Sequence, residues 1–325
     1  MLELIPEGIK PKVNINGKIK PHFYVINFAA DEESLCKMEM KCLFNKILEQ
    51  KHFFSYHYID PSTSPFIKHC ISILYTGNSL KDILNQLTID KLFLEGFKVS
   101  YINYGDEILG YKERRKIEYE IGQNIYGEAE LKNPKLLLGV TKVNDKWILG
   151  TYKRNEPKWI IHNQKPYSYS NAITSRAARA IVNIAVCNDL KCTVVDPCCG
   201  IGTVVMEALS LGINIKGFEL NPLIANNAKA NLKYFNYKDA IANGNMHDIV
   251  EKFQVSIIDL PYGLFSPTTL KEQVDIMKTA RRISDKMVII TFENMDEYIL
   301  SSGFNIIDKC HISKGKFKRY VAICE

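Results

Sequence analysis

A carboxylate, two glycines and a helix start fall together in Thr193-Val-Val-Asp-Pro-Cys-Cys-Gly-Ile-Gly-Thr203. The run Thr193–Asp196 predicts a buried strand that ends on its acid. The turn after it holds Gly200 and Gly202, which leave room for a ligand close to the backbone. Thr203–Leu211 then predicts a helix, stopped by Gly212. A strand, a glycine turn and a helix start make a nucleotide-type binding corner. A dinucleotide fingerprint needs a third glycine, and Val205 stands in that place. Asp196 repels a pyrophosphate and favours a cationic or amine-bearing ligand. S-adenosylmethionine has an ammonium, a sulfonium and no phosphate, so the corner favours methyl transfer over hydride transfer.

Glu219 strengthens that reading. It ends the next expected strand, Ile213–Glu219, 17 residues after Gly202. An acid there accepts hydrogen bonds from both ribose hydroxyls of a nucleoside ligand. Pro197, Cys198, Thr203 and Leu220 flank these positions and are grouped with the cofactor site, as is Asp259 further along the chain. Cys198 and Cys199 are expected to pack against the ligand rather than to act as catalysts.

Such residues need a sheet that brings strand ends to one edge. Beyond residue 165, strands and helices alternate. The strand at 193–196 and helix at 203–211 are followed by the strand at 213–219. Asn221 caps, and Pro222 opens, a helix to about Tyr234. A short strand near 239–243, a strand at 255–259, a helix near 269–283 and a strand at 287–291 come next. Phe304–Ser313 and Arg319–Cys324 read as a closing hairpin. This alternation predicts a parallel sheet with right-handed crossovers. With the terminal hairpin it resembles the Rossmann-like class I methyltransferase domain. The resemblance implies that Asn243-Gly-Asn-Met-His-Asp248 meets the adenine. Asn245 would accept from the adenine amine through its side-chain oxygen, and Met246 would lie against the ring. Asp248 competes with Asn245 for that role.

Asp259-Leu-Pro-Tyr-Gly263, at the end of the fourth strand of that series, resembles the D-P-P-Y-G motif of amino-methyltransferases, which modify exocyclic amines of nucleic-acid bases. The lone pair of such an amine is delocalised into its ring. Two acceptors close together bind both N–H groups and favour a pyramidal nitrogen. The resemblance gives these roles to the Asp259 carboxylate and the Leu260 carbonyl. Pro261 biases Leu260 to an extended backbone, and Tyr262 would stack on a base drawn out of its helix. Leu260 departs from the motif's first Pro, which keeps the acceptor but loses rigidity.

The first half predicts an α+β region. A strand at 22–28 precedes a helix with Leu35, Met38, Cys42 and Leu43 at helical spacing and Asp31 as its cap. A strand at 66–75 leads to a helix capped by Ser79. A strand at 97–103, a charged helix at 112–124 and a hairpin across Asn144-Asp145 follow. The run Glu118–Pro134, with its Leu131-Lys-Asn-Pro134 turn and the strand pair after it, resembles the end of a THUMP domain. That resemblance implies tRNA binding near the acceptor end. Lys165–Ala185 resembles the entry helix of THUMP-carrying tRNA guanosine-N2 methyltransferases. Within it Arg176 and Arg179 either touch RNA phosphates or are solvated; their spacing favours solvation. The expected organisation is an N-terminal region over 1–164, its THUMP-like module at about 65–153, and a methyltransferase domain over 165–325.

Composition is compatible with this and does not demand it. The chain has 325 residues and a net charge of +6, which allows a nucleic-acid partner. The nine cysteines include no C-x-x-C pair, so no metal site is expected, and reduced thiols suit a cytoplasmic protein. The start, Met1-Leu-Glu-Leu-Ile-Pro6, lacks the layout of a signal peptide. No run approaches the length of a membrane span. The expected activity is therefore S-adenosylmethionine-dependent methylation of a tRNA guanosine at N2, with an accessory subunit or homodimer left open. The alternatives are amino-methylation of rRNA or DNA (adenine N6 or cytosine N4), or an inactive RNA-binding homologue.

Overall fold

The computed structural model describes residues 21–105, 108–169, 172–261, 268–314 and 317–325. In chain order the elements are β1 (His22–Ile26), α1 (Glu33–Phe44), β2 (His52–Ser55), β3 (Ile67–Gly77), α2 (Leu80–Asp90), β4 (Phe97–Tyr101), α3 (Tyr111–Gln123), β5 (Leu136–Val143) and β6 (Lys146–Arg154). They continue with α4 (Ser175–Val186), β7 (Thr193–Asp196), α5 (Thr203–Ser210), β8 (Asn214–Glu219), α6 (Pro222–Tyr234), β9 (Ile241–Asn243) and β10 (Phe253–Asp259). The last are α7 (Leu270–Ile283), β11 (Ser284–Thr291), α8 (Asp296–Ser301), β12 (Ile306–Lys314) and β13 (Phe317–Cys324). These elements form two compact units. One holds the described residues up to Asn27 with Leu48–Ser62 and Phe66–Glu156; the other holds Phe28–Ile47, Thr63–Pro65 and Pro157–Glu325.

The first unit is a six-stranded sheet in the order β2-β1-β3-β6-β5-β4. The β5–β6 hairpin turns at Asn144 and Asp145, whose φ values of 46° and 63° suit a type I′ turn. β4 lies parallel to β5, with α3 as the crossover. One face buries Ile83, Leu87 and Ile121 from α2 and α3 against Leu138, Val140 and Leu149. The other packs Phe23, Val25, Ile71, Ile73 and Ile148. Ser79 caps α2 by accepting the Asp82 N–H, and Asp82 accepts the Ser79 N–H in return.

The second unit is a Rossmann-like α/β domain. Its seven-stranded sheet runs β12-β13-β11-β10-β7-β8-β9. β9, β8, β7, β10 and β11 are parallel; β13 is antiparallel to β11 and to β12. The short apolar runs of β7, β10 and β11 are buried throughout most of their length, as strands covered on both faces must be. Chain order reverses between β7 and β10, which is the switch point where such sheets take ligands.

α1 belongs to this second unit. Its buried Glu39 accepts from Asn183 Nδ2 (2.7 Å) on α4 and from Ser64 Oγ (2.6 Å). Burial pushes the Glu39 carboxyl up to about 7. Asp31 does not cap α1; it lies in a single 3-10 turn, Ala30–Glu32, that leads into the helix. α4 begins at Ser175 with Thr174 accepting the Ala177 N–H; Asn171, expected from the sequence to start this helix, lies outside the described residues.

The two arginines of α4 also differ from expectation. Arg179 is buried, not solvated. It donates to Glu207 Oε2 (3.1 Å), Ser210 Oγ (2.8 Å) and the Thr63 carbonyl (3.0 Å). Glu207 in turn meets His162 Nδ1 at 2.6 Å, and the other imidazole nitrogen meets the Tyr237 hydroxyl at 2.9 Å. Arg176 is half-buried against Glu32 at 2.7 Å. Surface spacing could not show that α5 carries an acid on its inner face. A buried arginine needs such a partner.

Candidate active site

Asp196, Glu219, Asn243 and Asp259 end β7, β8, β9 and β10, so the parallel sheet delivers them to one edge. The turn after β7 follows from its glycines. Gly200 and Gly202 have φ of +53° and +79°, a region that side chains disfavour. A Cβ on Gly200 would project into open space, so that stretch of backbone is bare to a ligand. Glu219 holds the turn to the next strand. Its Oε2 accepts the Gly200 N–H (3.0 Å) and its Oε1 the Asn221 N–H (2.8 Å). A carboxylate has about four acceptor positions, so capacity for ribose hydroxyls remains.

Asp196 is buried and accepts the Cys198 N–H at 3.4 Å. Burial pushes its carboxyl well above the usual range; the Cys198 N–H opposes this, and Asp259 and Glu219 add to it. Burial likewise pushes the Cys198 and Cys199 thiols upward, which keeps them protonated and poor nucleophiles. Cys198 Sγ lies 3.6 Å from the sulfur of buried Met246. Pro197 and Thr203 are buried, and Thr203 Oγ1 has no hydrogen-bond partner among the described residues.

Asn245 is exposed, and its Oδ1 accepts the His247 N–H (3.0 Å) to cap the 3-10 turn Met246–Asp248. The acceptor assigned to adenine therefore has one lone pair already engaged. The Leu220 side chain is exposed, while its carbonyl is held by Asn243 Nδ2 at 3.1 Å. Asn243 Nδ2 also donates to the Glu219 carbonyl at 2.8 Å, bracing the end of β8.

Asp259 is the most unusual group at this edge. Its Oδ1 is shielded from solvent and has no hydrogen-bond partner among the described residues. Its Oδ2 lies 3.3 Å from Arg319 Nη1. Burial pushes the carboxyl up to about 6, against the pull of Arg319. Leu260 is buried and donates its N–H to the Ile290 carbonyl (2.9 Å); the Pro261 carbonyl accepts from Gln273 Nε2 (2.8 Å). The start of the motif is thus fixed to β11 and α7. Tyr262 lies outside the described residues.

Sequence reasoning missed Arg319, Gln273 and Asn231, and gave Asn243 no role of its own within the run expected to meet adenine. Buried Asn231 donates through Nδ2 to the Ile201 and Tyr167 carbonyls (3.0 Å each) and accepts the Tyr167 N–H (3.0 Å). It ties the segment before α4 to the glycine turn. A polar residue beside Ala228 and Leu232 on the apolar face of α6 was the available signal.

Three carboxylates near one edge, one of them with an orphaned oxygen, suit a ligand that brings positive charge and N–H donors. S-adenosylmethionine fits this set. Asp196 and the glycine turn would hold its methionine end, and Glu219 its ribose.

No family model matches the chain. Curated relatives are similar to it at low identity. The tRNA (guanine(10)-N2)-dimethyltransferase of Methanothermobacter thermautotrophicus is 23% identical over 205 residues, 59% of either chain. Those of Pyrococcus abyssi and Methanocaldococcus jannaschii are 27% identical over 170 residues and 23% over 230. The matches cover 50% and 65% of those two proteins, so this chain spans between half and about two thirds of each relative. Among solved structures, TrmN from Thermus thermophilus aligns over 94% of this chain and 99% of its own, with a TM-score of 0.47 and 15% identity. Among the described residues, no helix is long and apolar enough to cross a membrane. The chain is thus similar over more than half its length to tRNA guanine-N2 dimethyltransferases.

Proposed function

We propose that the protein is a cytoplasmic S-adenosylmethionine-dependent methyltransferase that methylates N2 of a guanosine in tRNA. The observation that carries this is the orphaned Asp259 Oδ1 beside Asp196, Glu219 and the glycine turn. S-adenosylmethionine supplies an electrophilic methyl when bound. The chain's residues orient the acceptor. Asp259 Oδ1 and the Leu260 carbonyl take the two N–H groups of the base amine, and Tyr262 stacks on the base. A strong base is not required, because attack on a sulfonium releases a neutral thioether and the proton leaves later. Positioning amine and methyl in line supplies most of the acceleration.

The choice of tRNA rests on the names of the curated relatives and is supported by the first unit, read here as THUMP-like. That unit has a cavity of about 430 Å³ lined by Lys98, Arg114, Arg115 and Arg154 with Tyr101 and Tyr152. Arg115 is paired with Glu118 at 2.8 Å, whereas Arg114 Nε is buried with no hydrogen-bond partner among the described residues. Cations interleaved with tyrosines suit a nucleic-acid strand. Arg114→Ala is expected to weaken tRNA binding and to lower the slope of log K against log salt by about one. Filter binding across a salt series measures both, and an unchanged slope removes Arg114 from the interface.

Transfer of a tritiated methyl group to bulk tRNA, rRNA and DNA side by side tests the whole proposal, with nucleoside analysis of the product. Label in N2-methylated guanosine of tRNA is expected. Label confined to DNA or rRNA contradicts the tRNA assignment.

A further inference from the structure

β13 runs antiparallel to β11, so its first residues lie at the edge where β7, β8 and β10 end. Tyr320 pairs with Thr291, and Arg319 is one place further out. Its guanidinium carbon sits 4.8 Å from the centre of the Phe292 ring. That ring restrains a planar cation by stacking and by cation–π attraction. From there Arg319 reaches across β11 to Asp259, 60 residues earlier in the chain. The contact is one-sided: Nη1 to Oδ2 at 3.3 Å, with Oδ1 lacking a hydrogen-bond partner among the described residues. The side chains of Arg319 and Asp259 are 16% and 25% exposed, so the pair is only partly screened by solvent.

We infer that Arg319 is the positioning residue of this site: it holds Asp259 Oδ2 so that Oδ1 is presented, ionised, to an N–H of the base amine. The identity of that amine rests on the methyltransferase reading; the pairing with Asp259 does not. Among the described residues, Asp259 faces three titratable groups. Arg319 from β13 stabilises its charge; the charge of Asp259 in turn helps to raise the buried Asp196 at the end of β7, and the Cys198 thiol in the glycine turn is neutral. β11 brings the uncharged Ile290 and Phe292, and α7 brings Gln273 to the Pro261 carbonyl. Arg319 is therefore the cation that balances Asp259 before substrate arrives. A protonated carboxyl would offer the amine a donor where it needs an acceptor.

The test uses Arg319→Gln and Arg319→Lys in the full chain, with folding checked by circular dichroism. Two readouts are taken: the Asp259 carboxyl titration by carbon NMR, and the pH profile of methyl transfer to tRNA. Removing a cation disfavours the ionised acid, so in Arg319→Gln the Asp259 midpoint and the acid limb of kcat are expected to move up by about one pH unit. kcat is expected to fall by about 10- to 100-fold, with KM for tRNA changed less than about threefold. Arg319→Lys keeps the charge without the planar fork, and its acid limb is expected to stay within about half a unit of the wild type. An unmoved Asp259 midpoint in Arg319→Gln overturns the inference. So does a raised KM with unchanged kcat and acid limb, which would make Arg319 an RNA contact. If the wild type transfers no methyl to any nucleic acid while the midpoint still moves, the functional reading fails and the pairing stands.

Discussion

Asp259→Ala is expected to lower kcat for methyl transfer by about 10²- to 10⁴-fold while changing S-adenosylmethionine affinity less than about threefold. The asymmetry follows from the placement of Asp259. It stands at the end of β10 with an oxygen that has no hydrogen-bond partner among the described residues, whereas the other proposed cofactor contacts lie on β7, the glycine turn, β8 and the turn after β9. Single-turnover transfer and calorimetry measure the two quantities separately. Turnover near the wild-type level removes Asp259 from the mechanism.

The same residue makes an independent prediction about stability. Burial holds the Asp259 carboxyl at about 6 in the fold, above its ordinary 3.8. A raised acid means that folding disfavours the charge. The penalty is complete above pH 6, shrinks as pH falls from 6 towards 4, and is absent below the unfolded value. Asp259→Asn is therefore expected to stabilise the protein by about 1–3 kcal/mol at pH 8 and by nothing measurable at pH 3.5. Urea unfolding at the two pH values checks this. A gain in stability beside a loss of turnover is the pattern of a group kept for function at the expense of the fold. The wild-type pH profile has the matching sign, with activity lost as pH falls through 6.

Glu207→Ala is expected to cost about 3–5 kcal/mol of stability, the largest effect of any single change considered, because it removes the carboxylate paired with a buried arginine. Glu207 is fully buried, with Arg179 Nη1 on one oxygen at 3.1 Å and His162 Nδ1 on the other at 2.6 Å. Its loss also leaves the Tyr237 hydroxyl, at 2.9 Å, as the remaining hydrogen-bond partner of the His162 ring among the described residues. The effect reaches the site because Glu207 lies on α5, the helix that the glycine turn opens. S-adenosylmethionine binding is expected to weaken along with stability. Glu207→Gln keeps the shape and most hydrogen bonds, and roughly half the loss is expected. Urea denaturation of both variants provides the measurement. A change below about 1 kcal/mol for the alanine variant would mean that solvent reaches Arg179.

The sequence made the sheet edge legible because its signals are local. Asp196 and the two glycines are neighbours, Glu219 and Asp259 each end an apolar run, and the alternation of strands with capped helices imposes the parallel order. The turn at Asn144-Asp145 and the caps at Ser79 and Asn221 are likewise written within a few residues. What was not legible is what the fold brings together from afar. Arg319 meets Asp259 only because β13 reverses direction at the edge of the sheet. Arg179 read as solvated because its partner, Glu207, lies on another helix. Glu207 itself was a signal left unused, since an acid inside the apolar run Thr203-Val-Val-Met-Glu-Ala-Leu209 needs a buried counter-ion. The spacing in α1 showed that the helix has an apolar face, but not that α4 is what the face covers. The unengaged Asp259 Oδ1 has no sequence signature at all, because it is defined by the lack of a hydrogen-bond partner among the described residues.

Titration of S-adenosylmethionine into the purified chain, with Glu219→Ala in parallel, tests most directly whether this edge is a methyl-donor site. One site per chain with a Kd of about 1–100 μM is expected, weakened at least tenfold, or about 1.4 kcal/mol, when Glu219 is removed. The absence of binding to the wild-type protein would contradict the account.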